Sequence, residues 1–535
     1  MGARLARISV SVAGWTALSR ISGFGRVAVV AAVLGPTYLG NVFQASNNLP
    51  NLVYMALTGT LFSSLLVPPM VRLIDRGDRR EAERLAGAFL GAALVAFAIV
   101  AVLVNLAAPV LLDLLTVGVE AEAEAAGQRT AGRVLLLLCM PQLLLYAVTG
   151  TCEAVMNAHD RFALPSAAPI AENLGVIVTM VATALIFGTG AGAATVSTSQ
   201  LVLMGAGSTL SVGLHAAIQW WGVRSIGVRL VPRAGWKEQE IRAITRRAGP
   251  SLGYSSLDVL QRVTYVAVAN RIPGGVVGFD LAMNFYTLPA ALGARPVGVA
   301  LLPHLARLHV DRRLVQFRDE LVRGASLMLF LVVPAAVAFG VLAGPIARGL
   351  TFGAMATPEG QLMLASALLG LCVGVLGECA LLLGIYAAYA RGDARSPLLA
   401  GLVRLGTATV GIGVTVTMSP GAAGLLALGL VVSAADLAGA AFLALRLHAA
   451  LPGGHERLRS PLLRSATATV VTVVPALAVA ATVPELLPRG GPQGGVLLAC
   501  LVGGLVYLIV QALLGSPELR SLQTVLSRGR GDHRD

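Results

Sequence analysis

The run LAGAFLGAALVAFAIVAVLVNLAAPVLL at residues 85–112 decides the fold class, because no charged side chain occurs in it. A helix of roughly 20 apolar residues is long enough to cross the hydrocarbon core of a bilayer. Comparable apolar stretches recur along the whole chain, near residues 9–34, 41–71, 131–157, 165–188, 196–221, 248–270, 276–305, 324–347, 361–390, 398–418, 422–445, 462–483 and 494–515. The sequence therefore predicts an all-α polytopic membrane protein of about fourteen transmembrane helices.

The composition excludes a soluble protein and a nucleic-acid-binding protein. Of the 535 residues, 56% are hydrophobic and 13% are charged, so the solvent of most of the surface must be lipid. The net charge of +13 comes from basic residues in short loops between apolar runs. Aromatic residues make up only 5% of the chain, which is too few for a groove that stacks bases. The positive charge therefore reports membrane topology.

The basic loops also predict an orientation. Arginines concentrate in the loops near 72–84, 224–247 and 307–323, on the side that holds both termini. The loop that carries Glu120, Glu122 and Glu124 lies on the opposite side and is acidic. Because positively charged loops stay in the cytoplasm, we expect both termini to be cytoplasmic in a bacterial inner membrane.

An internal repeat predicts two lobes of six spans each. Arg26 in the first span recurs as Arg262 in the seventh, and LVPP at 66–69 recurs as LLPH at 301–304 with nearly equal spacing. Halves with an even number of spans have the same orientation and form a pseudo-twofold parallel repeat about the membrane normal. The predicted parts are an N-lobe (1–222), a cytoplasmic linker (223–247), a C-lobe (248–446), two added spans (447–515) and a cytoplasmic tail (516–535).

The first span contains two cations, Arg20 and Arg26, within SRISGFGR at residues 19–26. An arginine at the centre of a membrane costs about 2.5 to 3.5 kcal/mol, so each should face water, a partner or a ligand. The glycines between them are expected to loosen the helix and expose backbone groups. Guanidinium groups bind phosphate with paired hydrogen bonds, so the two cations predict an anion site. Pairing with helix carbonyls or snorkelling to an interface are the alternatives.

Polar side chains in later spans extend this candidate site. Span 2 carries four on one helical face, which would look into a wet cavity or make interhelical hydrogen bonds: Asn41, Gln44, Asn48 and Asn51. Arg262 in span 7 stands four residues after Asp258, a spacing that suits an ion pair, and Asn284 lies in span 8. Glu172 and His215 are lone groups inside spans 5 and 6, and Glu172, Glu378 and Asp436 are candidates for ion coupling.

No sequence pattern supports an enzyme, a cofactor or a metal site. The chain has no P-loop, GxSxG elbow or HExxH motif, and its five cysteines have neither metal-ligand nor redox spacing. We therefore expect the protein to be a transporter and to bind neither a cofactor nor a metal ion.

Three stretches near the N-terminus resemble the MurJ/MviN family of lipid II flippases: SRISGFGR at 19–26, LGPTYLGNVFQASNNLPNL at 34–52 and GTLFSSLLVPPM at 59–70. Weaker similarity continues through 157–175, 246–256 and 297–308. The resemblance implies a member of the multidrug/oligosaccharidyl-lipid/polysaccharide flippase superfamily, with two six-span lobes and two final spans that form a groove for a lipid tail. It implies alternating-access transport of the undecaprenyl-pyrophosphate-linked peptidoglycan precursor, with Arg20 and Arg26 as the family's first-span cavity arginines.

The chain departs from the family pattern at several cavity positions. Asn41 stands where the family has an aspartate, and Asn284 stands near a family arginine; charged family residues are also absent at 53–55 and near Thr58. Arg262 or Arg295 could supply replacement charge. Two alternatives therefore stay open: an exporter of another lipid-linked glycan, amphiphile or drug by cation antiport, and a non-transporting paralogue that scaffolds the envelope. The expected partners are a polyprenyl-pyrophosphate-linked saccharide, membrane lipids and cell-wall synthesis proteins.

Overall fold

The computed structural model describes residues 2–58, 66–234, 255–418, 420–453, 456–486 and 490–520. These residues form helices and connecting turns and contain no β-strand. Within them, eleven helical segments are long and apolar enough to cross a membrane, and a bent pair of helices makes twelve. The fold class predicted from the apolar runs is confirmed.

The chain divides into two compact units, residues 1–277 and residues 278–535. The first unit contains α1 (Gly2–Leu34), α2 (Tyr38–Thr58), α3 (Val67–Asp75), α4 (Arg79–Thr116), α5 (Glu122–Cys139), α6 (Gln142–Ala158), α7 (Ala163–Ala167), α8 (Pro169–Phe187), α9 (Thr198–Ser225) and α10, described over 255–269. Much of the predicted linker, 223–247, lies outside the described residues, so the predicted lobe bounds stay a prediction.

The second unit begins within α11 (Gly275–Pro289). A π-helical turn (Ala290–Ala294) follows the proline, and the remaining helices are α12 (Arg295–Val310), α13 (Leu314–Val341), α14 (Ala343–Leu350), α15 (Pro358–Leu371), α16 (Gly374–Ala390), α17 (Arg395–Val416), α18 (Ala422–Ala450), α19 (Glu456–Leu486) and α20 (Gly491–Leu513).

In its described residues, every predicted span corresponds to a helix or a consecutive group of helices, whereas 59–65 of span 2 and 248–254 of span 7 lie outside the described residues. Spans 2 and 7, represented by α2 and α10, are the two that are not among the helices long and apolar enough to cross a membrane. The five amide side chains of α2 lower its hydropathy, whereas α10 is described over too few residues. The tenth span is α15 and α16 together, bent by 46° between them. The ninth was predicted to run to residue 347, but α13 ends at Val341 and a separate short helix, α14, follows.

In the first unit, α9 packs against α5, α6 and α8, and α1 packs along α8. The core between these helices and α2 is apolar, with Leu39, Phe43, Leu135 and Leu143 fully buried. Small residues bring α8 and α9 close together, because a Cβ on Gly175 would lie 2.5 Å from Ser211 Oγ. Polar groups that point into this closely packed layer must therefore find partners inside it.

In the second unit, α18 is the central helix, since α15, α16 and α17 all pack against it. α15 approaches α18 so closely that a Cβ on Gly370 would lie 2.4 Å from the carbonyl oxygen of Leu426 and 2.9 Å from Gly429 Cα. Contacts at these distances are with backbone, which cannot move aside as a flexible side chain does. The absence of a side chain at Gly370 therefore sets the separation of the two helices.

We expect Gly370→Ala to destabilise the protein, by about 1 to 3 kcal/mol as overpacked cores do. The measurement is the melting temperature of the purified protein in detergent. Gly406→Ala on α17 is the matched control, because a Cβ there meets nothing within 4 Å, and alanine favours helix. Equal melting temperatures for the two variants would contradict the packing argument.

Candidate functional site

The two arginines of α1 lie on one continuous helix. The expectation that the SRISGFGR glycines interrupt the helix is wrong, because α1 runs unbroken from Gly2 to Leu34. Gly23 faces α8, where a Cβ would lie 3.4 Å from the amide nitrogen of Asn173, an ordinary contact distance. That amide donates to Ser22 Oγ at 2.9 Å. Arg20 is exposed, whereas the Arg26 side chain is 24% exposed.

Arg26 and four buried side chains form one polar group, which we call the Glu172 cluster: Arg26, Tyr146, Glu172, His215 and Gln219. Arg26 Nη1 lies 3.5 Å from Glu172 Oε1, and His215 Nδ1 lies 2.8 Å from Glu172 Oε2. The Tyr146 hydroxyl donates to Glu172 Oε1 at 3.2 Å. A cation, a carboxylate and an imidazole from α1, α8 and α9 thus form one connected group inside the first unit.

In the sequence, Glu172 and His215 are lone intramembrane groups, and Glu172 is also a candidate for ion coupling. Their partnership spans three helices, and no spacing in the sequence signals it. The one available signal was chemical, since a buried carboxylate inside a membrane needs a cation or hydrogen-bond donors near it.

The polar face of α2 is not uniform. Asn41 is fully buried, and its amide is used by backbone: Nδ2 donates to the Ile272 carbonyl at 2.8 Å, and Oδ1 accepts from the Val276 N–H at 2.9 Å. Asn41 therefore fixes the turn after α10 to α2 in this conformation. Substrate contact by Asn41 stays a prediction.

A second amide pair strengthens the same attachment. Asn270, in the turn after α10, exchanges two hydrogen bonds with Gln128 of α5, at 3.0 and 3.1 Å. Its Nδ2 also donates to the Leu115 carbonyl at 2.7 Å. Both amides are fully buried, so this attachment uses hydrogen bonds without any charge.

Further along α2, exposure increases. Gln44 is 3% exposed, Asn48 is half-buried and Asn51 is exposed. Asn48 and Ser46 lie at a cavity of about 130 Å³ whose other walls are apolar residues of α4, α5 and α10. The prediction that this face looks into a wet cavity is therefore still open for Asn48 and Asn51, and the contact of all four residues with substrate stays a prediction.

The predicted pair on α10 forms. Arg262 Nε lies 3.1 Å from Asp258 Oδ2, and both side chains are partly exposed. Asn284 on α11 donates its amide to the Asp280 carbonyl at 2.8 Å, one turn earlier on the same helix. Substrate contact by Arg262 and Asn284 stays a prediction.

Asp436, a candidate for ion coupling, already has a cation beside it. Arg404 on α17 reaches one of its carboxylate oxygens through Nε at 2.7 Å and through Nη2 at 2.6 Å. The Tyr286 hydroxyl contacts the other oxygen, and Asp436 is 1% exposed. Glu378 on α16 is half-buried. Ion coupling by either carboxylate stays a prediction. In the described part of the chain, no group of three His, Cys, Asp or Glu side chains is placed to hold a metal ion.

The last two helices adjoin an apolar cavity. α19 and α20 pack along each other, and α19 also packs against α13. A cavity of about 210 Å³ lies among these three helices, lined by residues that include Pro334, Thr472 and Gly503. The Tyr507 hydroxyl donates to the Phe330 carbonyl at 2.7 Å and fixes α20 to α13.

The family model described as "Lipid II flippase MurJ" matches residues 30–492 of the chain. The chain belongs to this family. It is 28% identical over 395 residues to the "Probable lipid II flippase MurJ" of Rhizobium tropici, covering 73% of this chain and 71% of that protein. It is 23% identical over 399 residues to the "Lipid II flippase MurJ" of Burkholderia cenocepacia, covering 74% and 75% of the two chains.

Solved structures agree on the fold. "Lipid II flippase MurJ, inward closed conformation" superposes with a TM-score of 0.74 at 16% identity, over 94% of this chain and 98% of that chain. A MATE transporter of Vibrio cholerae, VcmN, gives a TM-score of 0.57 at 16% identity, over 84% of this chain and 97% of that chain. The MurJ family model begins after Arg20 and Arg26, so the match of these two residues to the family's cavity arginines rests on the SRISGFGR motif.

Proposed function

We propose that this chain is a lipid II flippase, which moves the undecaprenyl-pyrophosphate-linked peptidoglycan precursor from the cytoplasmic to the outer leaflet by alternating access. The observation that carries the proposal is the match of the MurJ family model over residues 30–492. The activity is transport, so no covalent bond is made or broken, and its biological use would be cell-wall biosynthesis.

Arg26 is the residue best placed to contact the pyrophosphate. Its guanidinium is partly exposed on an apolar helix. It lies 3.5 Å from Glu172 Oε1, which is a long distance for an ion pair. A guanidinium cannot lose its proton and forms paired hydrogen bonds with phosphate oxygens. Arg20, six residues earlier, would lie about 9 Å along the same helix axis and could hold the anion at another depth.

The remaining parts of the proposal concern topology and partners. The positive-inside bias supports cytoplasmic termini in a bacterial inner membrane. The cavity among α13, α19 and α20 is apolar and would suit a polyprenyl tail. We propose the lobes predicted from the repeat as the moving bodies, with membrane lipids and cell-wall synthesis proteins as further partners.

The alternatives gain no support from the site. Cation antiport of an amphiphile or drug needs a carboxylate that an ion can reach, and Asp436 is enclosed with Arg404 and Tyr286. Ion coupling by the half-buried Glu378 stays a prediction. A scaffold paralogue would not need the partly exposed cation at Arg26.

Complementation tests the proposal. The chain is expressed in a bacterium whose own lipid II flippase can be switched off, and we expect the cells to survive. The control variant, Arg20→Ala/Arg26→Ala, should be inserted in the membrane but should fail to rescue. Death of cells that contain folded, inserted wild-type protein would contradict the proposed cargo.

A further inference from the structure

The carboxylate of Glu172 is shared between a cation and an imidazole. One oxygen faces Arg26 at 3.5 Å, and the other lies 2.8 Å from His215 Nδ1. The hydrogen bond to His215 is short and well inside hydrogen-bonding distance, whereas the contact with Arg26 is at the long end of an ion pair. Arg26 is therefore the partner that can be drawn away at the smaller cost.

Burial makes the loss of a partner expensive for Glu172. Glu172 is 9% exposed and His215 is 6% exposed, both inside helices that are otherwise apolar. A buried carboxylate without a compensating positive charge is strongly unfavourable in a low-dielectric interior. If Arg26 turns toward an anion in the cavity, the positive charge that Glu172 loses must come from elsewhere.

His215 is built to supply that charge. Its Nδ1 must carry a proton to bond the Glu172 oxygen, so the second ring nitrogen, Nε2, is the one that changes state. Gln219 Nε2 lies 3.5 Å from this nitrogen, and Gln219 Oε1 is buried without a hydrogen-bond partner. A half-turn of the Gln219 amide would place that oxygen where it accepts a hydrogen bond from the Nε2–H of a charged imidazolium. The surroundings of His215 thus suit both the neutral and the charged ring.

We propose that Glu172 competes with the anion for Arg26, and that His215 takes up a proton from solvent when Arg26 leaves Glu172 to bind an anion. The inference rests on the proposed function, in which that anion is the pyrophosphate of a lipid-linked saccharide. The proton adds to His215 Nε2, and the imidazolium then balances the Glu172 carboxylate. Because such coupling is reciprocal, acidification tightens anion binding.

Few other charges can produce this response. The titratable groups that face the Glu172–His215 pair from the surrounding helices are Arg26 on α1, Tyr54 on α2, and Tyr146 and Glu153 on α6. The two tyrosines are neutral near pH 7, and Arg26 keeps its charge. α7 carries no titratable side chain, and α5 meets α9 at Leu138, which contacts Gly205 and Thr209. Glu153 is exposed and interacts electrostatically with His215.

The coupling between proton uptake and anion binding is positive, which distinguishes it from the coupling in an antiporter. An antiporter needs ion and cargo to oppose each other's binding, whereas here proton and anion favour each other. The Glu172–His215 pair therefore sets how tightly the site holds the pyrophosphate and does not exchange a proton for cargo.

The test is binding of an undecaprenyl-pyrophosphate-linked monosaccharide to the purified full-length chain in nanodiscs, between pH 5.5 and 8.5. Each phosphate of this probe has one bond to the lipid or the sugar and shares the anhydride bond, so its single remaining acidic group is strongly acidic and stays ionised throughout that range. For wild type, we expect the dissociation constant to decrease as the pH is lowered, by up to about tenfold per pH unit, which is the limit for one linked proton. His215→Gln should bind with no pH dependence. Glu172→Gln should also lose the pH dependence and bind on the order of tenfold more tightly, since Arg26 is released from its competitor.

Asp113→Asn is the matched control, because it removes another arginine-paired carboxylate of the same unit, 3.3 Å from Arg129, without touching the Glu172 cluster or a candidate substrate-binding residue. It should keep the wild-type pH profile. A His215→Gln variant with the wild-type pH profile would overturn this inference and leave the proposed function standing. Wild-type protein that is folded but does not bind the probe would overturn both.

Discussion

Arg26→Ala is expected to lower the rate of lipid II flipping by roughly tenfold to a hundredfold. A hydrogen bond to a charged group is worth about 1.5 to 3 kcal/mol, and each 1.4 kcal/mol is a factor of about ten. Arg26→Lys should fall between wild type and alanine, because lysine keeps the charge but lacks the planar fork that binds two phosphate oxygens. The measurement is the translocation of fluorescent lipid II in proteoliposomes.

The alanine variant also leaves Glu172 without a cation, so a loss of stability must be separated from a loss of transport. Arg26→Gln/Glu172→Gln removes both charges and should restore the melting temperature toward that of wild type. This double variant should remain inactive if Arg26 binds the pyrophosphate. Wild-type flipping by either variant would contradict the role assigned to Arg26.

Asp436→Ala is expected to destabilise the second unit by about 3 to 5 kcal/mol. The change removes the carboxylate that lies 2.6 Å from the buried Arg404 guanidinium, and breaking a buried ion pair costs far more than the pair itself contributes. Removing both charges with apolar residues of similar size, in Arg404→Met/Asp436→Leu, should recover most of the stability. Thermal unfolding in detergent measures both variants.

The same double variant separates structure from ion coupling. If the pair only holds α17 against α18, the stable double variant should flip lipid II at near the wild-type rate. A stable double variant that no longer transports would show that Asp436 has a role in coupling. Asp436→Ala with an unchanged melting temperature would contradict the buried-pair argument.

Local patterns in the sequence predicted more than the spans. The Asp258–Arg262 pair could be read directly, because residues four apart on a helix are neighbours whatever the helix packs against. The polar face of α2 was likewise visible from its spacing. The residues that this face contacts could not be predicted from spacing, since Asn41 is buried against a turn more than two hundred residues later in the chain.

The candidate site was predicted as isolated residues and not as a connected group. Arg26, Glu172 and His215 were each recognised as charged or titratable groups inside spans, but their three helices approach one another only in the folded unit. Asp436 was predicted as a candidate for ion coupling from its position alone. Its contacts with Arg404 and Tyr286 became apparent only from the packing of α11, α17 and α18.

The sequence by itself determined that this chain is an all-helical membrane protein, because hydropathy is a property of consecutive residues and lipid tolerates only spans whose backbone is bonded internally. The tertiary structure decided which intramembrane charges compensate one another. The reason is physical: a buried charge is stabilised by whichever group lies within a few ångströms, and helix packing, not position in the chain, sets that distance.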